Sequence, residues 1–192
     1  MKITAIIPAR GGSTRLKRKN IYPVWGKPML SWSIRACKAS KYINDIYVST
    51  EDSEIGRIAT SFGAKVIQRP ENLADNSTFK QYAIVHAAKN LTYKPDYVIS
   101  MQANSPEMSA VDLDNAIEKF LKYNRSEIFS VDENLIQNAA FRIMKYEYVF
   151  RKTLSTCCGV YVTDYVDVHT LEDIEMLESQ RSPSKHYGEE DV

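Results

Sequence analysis

The sequence predicts an α/β fold built around a mostly parallel sheet, and two features of the 192 residues support this. Short apolar runs of the length of buried strands alternate with longer segments in which apolar residues recur at helical spacing. The first run, Ile3 to Ile7, leads through Pro8 into two glycines and a cluster of basic residues. Strands that alternate with helices pair in parallel through right-handed connections. We therefore expect a Rossmann-like, three-layer αβα domain with helices on both faces of the sheet.

Each strand predicted before residue 132 is a short apolar run bounded by polar or turn residues. These strands cover Ile3–Ile7, Ile46–Thr50, Ala64–Ile67, Asp96–Met101 and Glu127–Val131. A helix is expected in each interval, because apolar residues recur there every three or four positions. The helices run from Met29 to about Ser40, from a cap at Asp52 or Ser53 to Gly63, from a cap at Ser77 or Thr78 past Lys89, and from a cap at Ser109 past Leu121.

The pattern is weaker after Asp132. The aromatic and apolar residues between Phe141 and Phe150 could form a β-hairpin or an irregular cover, and the pattern does not decide between them. Short strands are predicted at Gly159–Val162 and Tyr165–Val168, followed by a helix from a cap at Thr170 to about Glu178. We expect one domain over residues 1–181 and a disordered polar tail over residues 182–192.

Charge is distributed unevenly along the chain, although the formal net charge is only +1. No acidic residue precedes Asp45, whereas many lysines and arginines do. Such an asymmetry indicates one anion-binding region on a near-neutral protein. Single-strand nucleic-acid binders interleave aromatic residues with their cations. The basic loop of this chain lacks them, so we expect no nucleic-acid partner.

The cysteines and the hydropathy pattern predict the compartment. Cys37, Cys157 and Cys158 are too few and badly spaced for a disulfide framework or a zinc site. We expect them to be reduced thiols in a cytoplasmic protein. No segment has the character of a secretory signal or the length of a membrane span, so we expect no membrane partner.

The segment from Ala9 to Asn20, ARGGSTRLKRKN, has the composition of a polyphosphate site. Glycines let backbone N–H groups approach an anion closely, and the cations that follow neutralise its charge. Ligands of open α/β sheets bind outside the carboxyl ends of the strands, where this loop is expected. Neither GxxxxGK[ST] nor GxGxxG occurs, which excludes P-loop NTPases and dinucleotide dehydrogenases.

This loop resembles the signature of the CMP-sugar-acid synthetases, the cytidylyltransferases that activate N-acylneuraminate and Kdo with CTP. Members typically read ARGGSK-R-x-x-RKN, followed by GKP and a helix. The similarity continues in the same order through IYVST-E-D, GA-K-V and RPENLA-D. It reaches Gln102 to Pro106, where the family has QPTSP, and Val166 to Asp173, where the family has IDIDTxxD. The resemblance thus covers most of the chain and implies a nucleotidyltransferase fold.

The resemblance also implies an activity and a set of site residues. An acceptor hydroxyl would attack the α-phosphorus of CTP, and pyrophosphate would leave. Arg10, Lys19 and Gln102 would serve catalysis, with Arg10 and Lys19 on the triphosphate and Gln102 near the acceptor. The nucleotide would be bound by Ala9, Arg10, Gly11, Gly12, Ser13, Lys19, Asn20 and Arg69. Asp167 would ligate Mg²⁺, which prefers hard oxygen ligands.

Three departures from the family pattern bear on the acceptor more than on the nucleotide. Thr14 replaces the family's lysine, and His169 replaces the second aspartate of the metal motif, where imidazole is a poor ligand for Mg²⁺. The segment between Tyr161 and Val166, which often supplies a dimer arm in the family, is short here.

These departures leave alternatives open. The acceptor could be a sugar acid or a small phosphorylated compound that gives a CDP-linked capsule precursor. A catalytically silent relative that binds nucleotide is a further alternative. A homodimer is expected as a possible assembly.

Overall fold

A seven-stranded sheet forms the centre of a computed structural model that describes residues 1–75, 79–153 and 155–183. The strands are β1 (Ile3–Pro8), β2 (Pro23–Val24), β3 (Lys27–Pro28), β4 (Asp45–Thr50), β5 (Lys65–Gln68), β6 (Tyr97–Met101), β7 (Glu127–Val131), β8 (Gln137–Lys145) and β9 (Cys158–Val162). The helices are α1 (Met29–Ala39), α2 (Ser53–Ser61), α3 (Lys80–Lys89), α4 (Ala110–Lys122) and α5 (Leu171–Gln180).

The sheet has the order β5-β4-β1-β6-β8-β7-β9 and is mostly parallel, as predicted. Only β8 runs antiparallel to its neighbours, β6 and β7. From β1 the chain moves outward through β4 and β5, and it then returns to place β6 on the other side of β1. The connections therefore change direction between β1 and β6, and ligands of such sheets bind at the carboxyl edge beside this point.

Helices cover both faces of the sheet, which confirms the predicted three-layer arrangement. Along β1, Ile3, Ala5 and Ile7 pack with α1, α2 and α4 on one face, because successive side chains of a strand alternate. Ile6 packs on the opposite face with Ile84 and other residues of α3. The apolar spacing of the helices was therefore a sound guide to the core.

Side-chain caps start three of the helices at the predicted places. The Asp52 carboxylate accepts hydrogen bonds from the backbone N–H groups of Glu54 and Ile55 at the start of α2. Ser109 caps α4, and Thr170 forms a capping box with Asp173 at the start of α5. The predicted caps Ser77 and Thr78 lie outside the described residues.

The structure corrects the prediction for Tyr165–Val168. This segment forms no strand; its backbone is bound instead by side chains and by the loop after β6. A pattern of alternating apolar residues cannot distinguish such an anchored extended segment from a strand. The open alternatives for residues 141–150 both apply in part, because β8 pairs with β7 as a hairpin and Tyr146–Phe150 forms a short 3₁₀ helix.

The division into a domain of residues 1–181 and a tail of residues 182–192 stays a prediction, and residues 184–192 lie outside those described. No helix in the described part of the chain combines the length and the hydropathy needed to span a membrane.

Glu127 anchors the antiparallel strand, and its loss should destabilise the fold. The fully buried Glu127 carboxylate accepts hydrogen bonds from the Arg142 guanidinium of β8 and from the backbone N–H of Ser155. We expect Glu127→Ala to lower the free energy of unfolding by about 3–5 kcal/mol, because Arg142 loses its partner. Urea denaturation measures the change, with the exposed Glu133→Ala as a control expected to stay within about 0.5 kcal/mol. Equal stability of the two variants would contradict this role.

Candidate active site

A cleft of about 460 Å³ opens at the carboxyl edge of the sheet, where the connections change direction between β1 and β6. It receives residues from the end of β1, from the segments that follow β1, β5 and β6, and from α3. Its lining consists of Pro8, Arg10, Ser13, Thr14, Arg15, Lys19, Asn20, Arg69, Leu73, Asp75, Lys80, Ala83, Gln102 and Asn104. Of the predicted site residues, Arg10, Ser13, Lys19, Asn20, Arg69 and Gln102 therefore meet in one place.

The glycine turn lies against the end of β4. Ala9 is buried and donates its N–H to the Ser49 carbonyl, which continues the pairing of β1 with β4. The Gly11 N–H donates to Glu51 Oε1 at 2.6 Å. A β-carbon at Gly11 would lie 2.5 Å from Asp52 Oδ2, whereas one at Gly12 would meet no atom within 4 Å. Gly11 is thus required by close packing, and Gly12 borders open space.

The cations of the basic loop point in different directions. Arg10 lines the cleft and donates from Nη1 to the Asp75 carbonyl at 2.9 Å. Arg18 turns away from the cleft to bind the carboxylates of Asp52 and Glu54 on α2. This ion pair lowers the pKa of Asp52 and ties the loop to the helix. Lys17 is exposed and does not line the cleft.

Lys19 carries a charge that the surrounding protein compensates only in part. Its Nζ donates to the Val168 carbonyl at 3.2 Å and lies 3.4 Å from His169 Nδ1. Burial lowers the pKa of Lys19, and the nearby cations Arg15 and Arg10 lower it further, while the Asp167 carboxylate acts in the opposite direction. An anion bound here would relieve this unfavourable environment.

Asn20 and Arg69 fix the floor of the cleft. Asn20 is 7% exposed and donates to the Arg10 carbonyl at 2.8 Å, which holds the turn in place. Arg69 is 4% exposed, and its Nη2 donates to Glu51 Oε2 at 2.7 Å. Its Nε has no hydrogen-bond partner among the described residues. Because a buried guanidinium N–H is costly to leave unpaired, Arg69 retains a donor for a ligand.

The loop after β6 connects the cleft to the segment before α5. Gln102 lines the cleft, and its backbone is fixed by hydrogen bonds with Ala140 and Ser33. Asn104 is buried and donates its amide to the Asp167 carboxylate and to the Val168 carbonyl. Asp167 does not itself line the cleft but is hydrogen-bonded to Asn104, which does.

His169 bridges the cations and Asp167. Its Nδ1 lies 2.9 Å from Arg15 Nη2, and its Nε2 lies 3.0 Å from Asp167 Oδ2. Guanidinium can only donate, so Nδ1 accepts and Nε2 carries the hydrogen that is donated to Asp167. With both ring nitrogens engaged, His169 orients Asp167 and Arg15 in this geometry. That imidazole makes His169 a poor ligand for Mg²⁺ stays a prediction from the sequence.

Sequence reasoning missed Glu51, Asn104 and Lys80. Two of them carried a signal, because Glu51 directly follows β4 and Asn104 follows β6 by three residues, so both come from carboxyl ends of strands that meet at this edge. Lys80 carried none, since it belongs to α3 on the far face and reaches the cleft only through the tertiary fold.

Comparison with known proteins places the chain in a family. The sequence profile of the cytidylyltransferase family matches residues 4–157. The chain belongs to the cytidylyltransferase family. The resemblance of its basic loop to the CMP-sugar-acid synthetases is thereby confirmed.

Two similar curated proteins are cytidylyltransferases that are named for a sugar acid. Pseudaminic acid cytidylyltransferase of Campylobacter jejuni is 35% identical over 139 residues, which cover 69% of this chain and 59% of that protein. N-acylneuraminate cytidylyltransferase A of Danio rerio is 36% identical over 134 residues, which cover 67% of this chain and 30% of that protein. The matched region thus spans less than two thirds of these curated relatives.

Solved structures share the fold. The structure of CMP:2-keto-3-deoxy-manno-octonic acid synthetase complexed with CTP superposes with a TM-score of 0.77 at 14% identity, covering 93% of this chain and 98% of that one. A cytidylyltransferase from Leptospira borgpetersenii gives a TM-score of 0.71 at 21% identity, covering 93% and 86% of the two chains. At these identities the likeness establishes the nucleotidyltransferase fold.

The two glycines of the turn should respond differently to substitution. Gly11→Ala should lower the free energy of unfolding by about 1–3 kcal/mol, because the new methyl group overlaps the Asp52 carboxylate. Gly12→Ala should stay within about 0.5 kcal/mol of wild type, because its methyl group enters open space. Urea denaturation of both variants measures the contrast. A Gly12→Ala protein as unstable as Gly11→Ala would mean that the turn packs differently.

Proposed function

We propose that the chain transfers CMP from CTP to a hydroxyl group of a sugar acid and releases pyrophosphate. The observation that carries this proposal is the convergence of Arg10, Lys19, Arg69 and Gln102 on one cleft at the carboxyl edge of the sheet. A polyphosphate is bound by such a concentration of cations. Membership in the cytidylyltransferase family supports CTP as the nucleotide. The names of the relatives support a sugar acid as the acceptor.

The reaction balances as a single displacement at phosphorus. The acceptor oxygen forms a bond to the α-phosphorus of CTP while the bond from that phosphorus to the α–β bridging oxygen breaks. Pyrophosphate carries away the electron pair, and the hydroxyl proton is released to water. Catalysis of such a transfer consists mainly of positioning and charge stabilisation.

The residues of the cleft suit these two tasks. Arg10 and Lys19 would bind the triphosphate and stabilise the negative charge that develops on the leaving pyrophosphate. Asn20 would keep the turn of Ala9, Gly11, Gly12 and Ser13 in shape through its bond to the Arg10 carbonyl. Arg69 would donate its Nε–H, which has no partner among the described residues, to the nucleotide. Gln102 would contact the acceptor or the ribose from the end of β6.

The donor set near Asp167 suits a Mg²⁺ ion whose other ligands are phosphate oxygens and water. The described residues include no group of three acidic, histidine or cysteine side chains that could hold a metal. Mg²⁺ in phosphoryl-transfer sites is commonly held by one or two carboxylates together with the substrate's phosphates. Asp167 offers one carboxylate whose orientation Asn104 and His169 fix. When bound, the ion would neutralise charge on the leaving pyrophosphate.

The product would be an activated building block for a surface polysaccharide. A cytoplasmic location agrees with the supply of CTP there and with the three unpaired cysteines. A homodimer and the absence of nucleic-acid partners remain predictions from the sequence. A small phosphorylated acceptor is the alternative that the short segment before Val166 and the changed metal motif at His169 keep open. The departures at Thr14 and His169 keep open a catalytically silent relative.

Removal of the Arg10 guanidinium should abolish transfer without harming the fold. Arg10→Ala should lower turnover at least about 10²-fold, because a cation that stabilises developing charge is lost. Pyrophosphate release from CTP and Mg²⁺ is measured with N-acetylneuraminate, pseudaminate and Kdo as acceptors. Arg57→Ala, an exposed arginine of α2 outside the cleft, serves as the matched control. Near-normal turnover of Arg10→Ala would argue against the assignment, and CTP binding by wild type without release with any acceptor would favour a silent relative.

Substitution of Asp167 tests the metal. Asp167→Asn keeps the size of the side chain but removes its charge, so activity should require about tenfold or more Mg²⁺ for half-saturation. A Mg²⁺ titration of the initial rate measures the shift, with the exposed Glu175→Gln of α5 as the control. An unchanged titration would remove Asp167 from the site.

A further inference from the structure

The first residue of α3 places a cation in the cleft that no family motif accounts for. The Lys80 side chain is exposed and lines the cleft, together with Ala83 of the same helix. Among residues 1–75, 79–153 and 155–183, no hydrogen bond or ion pair joins its ammonium. Lys80 is therefore a charge at a binding surface that has no structural partner in the described part of the chain.

Folding gives no reason for a lysine at this position. A cation in the first turn of a helix opposes the helix dipole, and α3 has no acidic residue in that turn to compensate it. The protein around the ammonium removes part of its solvent and thereby lowers the pKa of Lys80. Both effects disfavour the charged side chain in the empty cleft. A bound anion would reverse both.

Lys80 brings its charge into the cleft from α3, whereas Arg10, Arg15 and Lys19 reach it from the basic loop. The charges that act on Lys19 are those of Asp167, Arg15, Arg10 and Asp173. The charges that act on Lys80 are those of Asp167 and Arg142. Because Arg142 is already paired with the buried Glu127, Lys80, and not Arg142, supplies the uncompensated charge. The Asp167 carboxylate acts on both lysines in the direction of a higher pKa.

The two substrates of the proposed transfer, the triphosphate of CTP and an anionic acceptor, need separate cations. The triphosphate and an anionic acceptor repel each other, and each requires its own cation if the acceptor hydroxyl is to approach the α-phosphorus. We propose that Lys80 binds the anionic group of the acceptor, a carboxylate or a phosphate, while Arg10 and Lys19 bind the triphosphate. This assignment rests on the proposed cytidylyl transfer and makes Lys80 a specificity-determining residue of that site.

Steady-state kinetics of Lys80→Met separate the acceptor from the nucleotide. A charge-assisted contact of this kind corresponds to about a 10- to 100-fold change in affinity. We expect the KM for N-acetylneuraminate to rise by that factor and the KM for CTP to change less than about twofold. Lys80→Arg should restore most of the loss. Lys89→Met, an exposed lysine in the last turn of the same helix, should behave as wild type in both parameters.

Comparison of anionic acceptors with their neutral counterparts shows whether Lys80 binds a carboxylate or a phosphate. Wild type should prefer N-acetylneuraminate to its methyl ester, and Lys80→Met should lose this preference, as expected for two groups that interact directly. Glycerol 3-phosphate is tested in parallel against glycerol. A preference for the phosphate that depends on Lys80 would assign the subsite to phosphorylated acceptors instead of sugar acids, and either result supports the proposal.

Other outcomes would overturn the proposal that Lys80 binds the acceptor. An equal rise in the KM for CTP would place Lys80 on the triphosphate, and unchanged constants with a retained preference for the acid would deny it any role. If wild type releases no pyrophosphate with any acceptor, the proposed function fails. Calorimetric titration of N-acetylneuraminate and of glycerol 3-phosphate into wild type and Lys80→Met saturated with CTP then decides the inference alone. Equal binding to the two proteins, or binding to neither, would refute it.

Discussion

Repulsion between like charges at one edge of the sheet is the constraint on which the site depends. The fold limits this repulsion by pairing some of the cations with carboxylates and leaving others only partly compensated. Arg18 is fully paired with Asp52 and Glu54, and its charge serves only to attach the basic loop to α2. Arg69 shares Glu51 with the Gly11 amide. Lys19 and Lys80 receive only partial compensation, so the cleft remains positive and favours an anion that completes the charge balance.

Contacts that are remote in the sequence hold this arrangement together. A small apolar cluster buries residues of the basic loop and α1 against Val168 and against Ile174 and Leu177 of α5. It thereby brings the last part of the domain beside the first strand. Asn104 then binds both Asp167 and Val168 from the end of β6. The position of the candidate metal ligand is consequently set by hydrophobic packing on one side and by a buried amide on the other.

The hydrogen bonds of His169 explain how a histidine fits at the position where the family has an aspartate. A carboxylate at this position could not donate a hydrogen bond to Asp167, whereas the imidazole donates from Nε2 and accepts from Arg15 through Nδ1. His169 thus joins the Asp167 carboxylate to Arg15, a cation that lines the cleft.

The sequence by itself determined β1, β4, β5, β6 and β7, the helices between them and the caps at Asp52, Ser109 and Thr170, because these follow from local periodicity and local hydrogen bonding. It also determined that Arg10, Lys19 and Gln102 lie at one sheet edge, since carboxyl ends of parallel strands converge. It did not determine the two-residue strands β2 and β3, which lie in a segment whose prolines and glycine predict a turn. Only the tertiary structure decided that Arg18 turns away from the cleft and that Tyr165–Val168 is no strand. It alone brought in Lys80, because contacts between segments far apart in the chain leave no periodic trace in the sequence.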